Sequence, residues 1–222
     1  MEEIRAFITH PAVIASWLVL DVVSVALLLL DLRKNNPEIM PVMKLVWCLT
    51  VLYSGPIGLT VYHYSGRKQI PTDDIWRKGF RSVSHCYSGC GAGEIVGVFI
   101  AAGMLSMGNL GISLTTFALA YVAGFTLTVI PLVKDGEALG TALKDAVYSE
   151  TASITAMELM AVTVDLWLGG QSRINDPLFW SSLVVSLSLG MFAAYPVNIL
   201  LIHLGVKEGM ADPRKMAASH SQ

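Results

Sequence analysis

Charge is scarce in this sequence. Only 14% of its 222 residues are Asp, Glu, Lys or Arg, while 54% are hydrophobic. Soluble domains carry about 25% charged residues, so the balance excludes an ordinary soluble domain and fits a chain embedded in a bilayer. There is no basic stripe and the formal net charge is −2, which removes nucleic acid from the expected partners. Cysteine is limited to Cys48, Cys86 and Cys90. All three fall in apolar segments, which excludes the disulfide framework of a small secreted protein. Also missing are a P-loop, a His-Glu-x-x-His zinc motif and a Gly-x-Ser-x-Gly nucleophile elbow. The glycine-rich run at 89–93 lies inside an apolar segment and lacks the strand–turn–helix setting of a dinucleotide site. With no enzyme signature left, a transporter is the expected class.

Long apolar runs are what the chain does have. Six of them, at roughly 10–31, 41–64, 83–107, 110–133, 148–168 and 178–204, each reach the ~20 residues that a spanning helix needs. The first follows Glu2, Glu3 and Arg5, a poor signal-peptide start, and no small-x-small cleavage site comes after it. It therefore reads as a true span. Short polar linkers divide the six into three helical hairpins, about 10–64, 83–133 and 148–204, within one transmembrane domain over 1–222. A cytoplasmic N-terminus leaves only Arg33, Lys34, Lys44 and Arg173 of the 15 basic residues on the far side. The positive-inside rule then expects a multi-pass protein of the inner (cytoplasmic) membrane with both termini cytoplasmic. The lipid bilayer is its first partner, and homo-oligomers are compatible with the sequence.

Three of the runs carry an acid in the same short phrase: Asp21-Val22-Val23-Ser24-Val25, Glu94-Ile95-Val96-Gly97-Val98 and Glu158-Leu159-Met160-Ala161-Val162. A carboxylate at mid-span costs ~2.5–3.5 kcal/mol on insertion scales, so three in equivalent places point to joint use. The even-numbered runs match in part: Pro56 to His63 has the spacing of Pro196 to His203, with Arg67 and Lys207 following at equal distance. The expected architecture is an all-α membrane protein of six transmembrane helices. Its three parallel hairpin repeats would be related by a pseudo-threefold axis along the membrane normal.

The densest chemistry is in Ser84-His85-Cys86-Tyr87-Ser88-Gly89-Cys90-Gly91-Ala92-Gly93-Glu94. Cys86, Cys90 and Glu94 are four apart and stack on one helix face, with His85 beside them. Gly89, Gly91, Gly93 and Gly97 strip the helix of bulk and permit close helix approach. On the fifth run Glu150, Glu158 and Asp165 fall near one face, with Ser153 and Met157 between them; Asp165, next to Trp167, reads as an interfacial residue. Each group has a plainer alternative: Cys as a small hydrophobe, Glu150 as a solvated helix end, Asp21 as a neutral buried acid.

The expected function is transport or handling of a metal cation. Its ligands would be His85, Cys86, Cys90, Glu94, Glu158 and Asp21, and its ion path would be lined by Glu150, Met157 and Ser153. Thiolates favour copper, as Cu(I), or zinc as the metal ion; the carboxylates suit Fe(II) or Mn(II). Two other classes remain. One is a membrane oxidoreductase, cycling Cys86 and Cys90 between dithiol and disulfide or holding haem on His63 and His203. The other is a proton-coupled small-solute carrier with the carboxylates as relays.

One resemblance adds to this. His85-Cys86, Cys90 to Glu94, Tyr195-Pro196-Val197-Asn198 and Gly205-Val206-Lys207-Glu208-Gly209-Met210 are similar to a prokaryotic domain-of-unknown-function family, number four-three-nine-six, over about residues 80–210. The resemblance implies a small integral membrane protein and no particular activity.

Overall fold

A computed structural model describes residues 1–219, and among them every regular element is helical. The helices are α1 (Glu2–Ile8), α2 (Pro11–Lys34), α3 (Pro41–Ser54), α4 (Pro56–Ser65), α5 (Ile75–Val98), α6 (Asn109–Lys134), α7 (Leu139–Leu168), α8 (Pro177–His203) and α9 (Pro213–Ser219). Five are long and apolar enough to cross a membrane: α2, α5 with its π-helical extension Phe99–Met104, α6, α7 and α8. His10 starts α2 as its N-cap, its Nδ1 accepting the Ala12 N–H at 3.3 Å.

The expected second span is corrected. The run 41–64 is two short helices that fold back on each other. Gly55, between α3 and α4, has φ +53° and ψ −126°, a conformation that glycine adopts without steric penalty. Pro56 then opens α4 at a position where its missing N–H costs nothing. The reversal brings Trp47 and Tyr62 edge to face at 5.3 Å, although fifteen residues of continuous helix would separate them by ~22 Å. It also returns the end of α4 to the end of α2. Tyr62 donates to Asp31 at 2.8 Å, Arg67 pairs with Asp31 at 3.1 Å, and Lys68 pairs with Glu38 at 2.8 Å. Pro196, the sequence match of Pro56, lies inside α8 instead, because Tyr195 ahead of it keeps helical dihedrals. The first hairpin therefore has a different shape from the other two.

The N-terminal α1 is held at the end of the bundle where α7 finishes, by Arg5 donating to the Leu168 and Trp167 carbonyls at 2.9 and 3.1 Å. The C-terminal segment lies at the other end. There the Met210 N–H donates to Ser82 Oγ at 3.2 Å and its carbonyl accepts from Arg81. Helices α5 and α7 start at Ile75 and Leu139, two turns ahead of the apolar runs at 83 and 148. The early part of α5 is polar yet buried. Arg81 is bonded to Asp73 and to the Ser65 carbonyl, and Arg77 donates to the Tyr64 carbonyl at 2.9 Å.

Helix α5 is the hub, packed against α3, α4, α6, α7 and α8. Its seam with α6 is built from small residues one turn apart. A Cβ at Gly89 would meet Gly124 Cα at 2.9 Å, one at Gly93 would strike the Leu119 carbonyl and Ala120 Cα, and one at Gly97 would meet Thr116 Cα at 2.8 Å. Backbone touches backbone along three turns, the arrangement that small-xxx-small patterns permit in membranes. Gly93→Val should therefore lower stability by about 1–3 kcal/mol or more, because the neighbouring backbone cannot yield. Gly140→Ala, which meets nothing within 4 Å, should be neutral or stabilising. Thermal unfolding of both variants in detergent checks the contrast.

Candidate functional site: a buried polar column

The four long helices α5, α6, α7 and α8 enclose a continuous run of polar side chains. At the end near the C-terminal segment, the Lys207 ammonium donates to Glu150 Oε2 at 2.8 Å and to Asn198 Oδ1 at 3.1 Å. The side chains of this pair are 5% and 2% exposed. Thr128 donates to the second Glu150 oxygen at 3.4 Å. His85 is buried within electrostatic reach of Glu150 and Lys207, and its Nδ1 has no partner among the described residues. Asn198 Nδ2 then donates to Ser153 Oγ at 2.6 Å, and Ser153 to the Cys86 sulfur at 3.5 Å.

One turn further along α5, Cys90 faces Cys86, Glu158 and Glu94. Its sulfur packs where a Cβ on Gly124 would stand, at 3.3 Å. Glu94 and Glu158 neighbour each other and are 4% and 0% exposed. Cys90 is near enough to interact with Glu158. Even so, neither Glu158 oxygen, nor Glu94 Oε2, has hydrogen-bond geometry to any group among the described residues. Glu94 is also within electrostatic reach of Asp165, which accepts from Ser182 at 2.6 Å and lines a small cleft with Asn109, Ser113 and Ser172 at the far end. The Tyr87 ring stands beside the column between Ser54 and Ser188, edge to face with Tyr53 at 5.7 Å.

The structure thus joins His85, Cys86, Cys90, Glu94, Glu158, Glu150 and Ser153. Met157 is fully buried beside them and packs against Gly190. Asp21 is not brought to this group. Helix α2 packs on α1, α3 and α4, and the Asp21 carboxyl lies against Gly55 at the tip of the folded-back pair, one oxygen buried without a partner among the described residues. His63 and His203 are exposed at helix ends, His63 bonded to Arg67 at 2.7 Å. All three cysteines are free. Among the described residues, no three of the His, Cys, Asp and Glu side chains converge closely enough to form a metal-sized group.

Two members escaped the sequence reading, and a third was placed on the right face but read as interfacial. Asp165 sits two turns after Glu158 on one face, a signal outweighed by its position next to Trp167. Asn198 and Lys207 are in the tail that carries the family resemblance, but nothing in their spacing ties them to Glu150.

A bundle of apolar helices around a buried acidic column defines an integral membrane protein. Residues 75–207 match the family described as Domain of unknown function (DUF4396), and the chain belongs to that family. The match starts with α5 and ends on Lys207, so it covers the column and leaves out α1 to α4. No curated protein and no solved structure matches the chain.

Breaking a buried ion pair from one side costs about 3–5 kcal/mol, whereas replacing both partners is far milder. Lys207→Met alone should therefore destabilise strongly, and Glu150→Gln on top of it should restore most of the loss. Melting temperatures of the two variants and of the parent chain in detergent make the comparison.

Proposed function

We propose that this protein carries cations across the membrane along the buried column, with Glu94 and Glu158 as the central carriers and the proton as the cation. One observation supports this above the rest: two neighbouring carboxyls sit at mid-bundle with three oxygens unpartnered. An uncompensated charge in hydrocarbon is costly, so the pair is stable only when protons or a bound cation neutralise it. Neutral acids kept for packing alone tend to be satisfied by their neighbours; three of these four oxygens are not, among the described residues. The column runs from Glu150 past the thiols to Asp165, with polar groups at both ends.

A second reading follows from Cys86 and Cys90, whose thiols flank Glu158. Two soft donors beside two carboxylates suit Cu(I) or Zn as cargo ahead of Fe(II) or Mn(II). In this reading the donors must draw together when the ion arrives.

The topology we propose has five crossing helices, with α3–α4 entering and leaving on one side. That places Arg5 and Arg173 outside and the other 13 of the 15 basic residues inside. The resulting asymmetry is stronger than the 11 to 4 of six spans, and it fits an inner-membrane protein with N-terminus outside and C-terminus cytoplasmic. A C-terminal green fluorescent fusion should be bright, and an N-terminal epitope should be cut by protease added outside intact spheroplasts. Protection of both ends would favour six spans.

Transport is tested in proteoliposomes holding a pH-sensitive dye under an imposed potential. The parent chain should move protons, and Glu158→Gln and Glu94→Gln should each slow the flux about tenfold or more, because each removes a carrier that the apolar setting cannot replace. Flux that appears only with added Cu(I) or Zn, and vanishes in Cys86→Ser/Cys90→Ser, would move the assignment to metal cargo. Absence of both fluxes would overturn both readings.

A further inference from the structure

The proposed path has an end without a place for a cation to arrive, because that place is already filled. Glu150 and Asn198 each aim an oxygen at one point, at 2.8 and 3.1 Å from it, and the Lys207 ammonium occupies that point. Thr128 steadies the second Glu150 oxygen at 3.4 Å, and the buried His85 lies within electrostatic reach of the pair, its Nδ1 unpartnered among the described residues. The set of two oxygens supplies one negative charge and one neutral dipole, which matches a compact monovalent cation with hydrogens to donate.

Lys207 itself belongs to no helix. It stands between Gly205 and Gly209, both in the left-handed region at φ +70° and +80°, in a short return loop after α8. Residues Val206 and Glu208 on either side of it are exposed, while its own side chain reaches inward. Behind the ammonium, Asn198 is bonded to Ser153 and Ser153 to the Cys86 sulfur, so Cys86 is the first thiol along the bonded chain from Lys207.

We infer that Glu150 and Asn198 form the cytoplasmic cation site of the column and that the Lys207 ammonium is its resting, tethered occupant. An incoming monovalent cation of the hydronium or primary-ammonium class takes the same oxygens and releases the loop. This inference rests on the column being a cation path, but the site can be tested without transport.

The native thiol of Cys86 reports the opening. The full chain in lipid nanodiscs is treated with 2-aminoethyl methanethiosulfonate, a small monocation, and with its sulfonatoethyl counterpart, an anion. Labelling of Cys86 is followed by mass spectrometry separately from that of Cys48, which lies on α3 outside the column. In Lys207→Ala, Cys86 should react with the cationic reagent about tenfold or more faster than in the parent chain, since the rate follows the open population. The anionic reagent should gain far less. Should Lys207→Ala fail to fold, the neutral pair Lys207→Ala/Glu150→Gln keeps the open loop without a stranded charge. It should react faster with both reagents, the preference for the cation being lost with Glu150. Unchanged Cys86 labelling in either folded variant, or equal acceleration by both reagents in Lys207→Ala, overturns the site. Proton flux measured on the same proteins separates the two ideas. Faster labelling with no flux in any protein keeps the site and removes proton transport; parent-chain flux with labelling unchanged keeps transport and removes the site.

Discussion

Backbone contact between α5 and α6 is what keeps two carboxylic acids out of the lipid. The three glycines of α5 let the α6 backbone approach to within van der Waals distance, and the face of α5 that bears Cys86, Cys90 and Glu94 is thereby turned toward α7 and α8. A side chain at Gly93 would push α6 away and open the wall of the column. In water such a seam would be one packing detail among many. In hydrocarbon, where lipid tails are as apolar as leucine, close approach is one of the few forces that hold helices together. The same glycines therefore supply both the cohesion of the bundle and the seclusion of its acids.

The polar groups inside that enclosure fall into two kinds. At the Lys207 end, charge is compensated: Glu150 has its ammonium, Asn198 uses both ends of its amide, and Ser153 connects onward. At mid-bundle it is not, since three of the four carboxyl oxygens of Glu94 and Glu158 have no bonding partner among the described residues. A purely structural polar network tends toward full satisfaction. The contrast between a satisfied end and an unsatisfied middle is what distinguishes this column from an ordinary buried cluster.

Much of this was legible in the sequence, and the failures have physical causes. Apolar length located α2, α6 and α8 closely, and helical spacing placed Cys86, Cys90 and Glu94 on one face. The start of α5 was missed because hydropathy sees only the charge of Arg77 and Arg81, and not the carbonyls and carboxylates that neutralise them; that of α7 was missed because the exposed Lys144 and Asp145 lower its hydropathy. Pro56 and Pro196 look alike in sequence, yet the residue before each decides its role: Gly55 permits a reversal and Tyr195 does not. Asp21 shares its phrase with Glu94 and Glu158, but the phrase records depth along a helix and carries no information on which neighbours that helix acquires. Lys207 was invisible because the contact with Glu150 spans 57 residues and depends on a loop shaped by two glycines.

The folded-back pair α3–α4 has a consequence for how the chain is made. A segment of 14 residues followed by a reversal is too short to be released sideways into lipid as a span. Its tip packs on α5, where Tyr53 covers Gly91, and α5 is synthesised after it. The pair can therefore dock only after α5 has emerged and been inserted. The order of assembly in this chain is then the reverse of its order of synthesis over this stretch: α3 and α4 are seated last, as a wedge fitted into a slot that a later helix has formed.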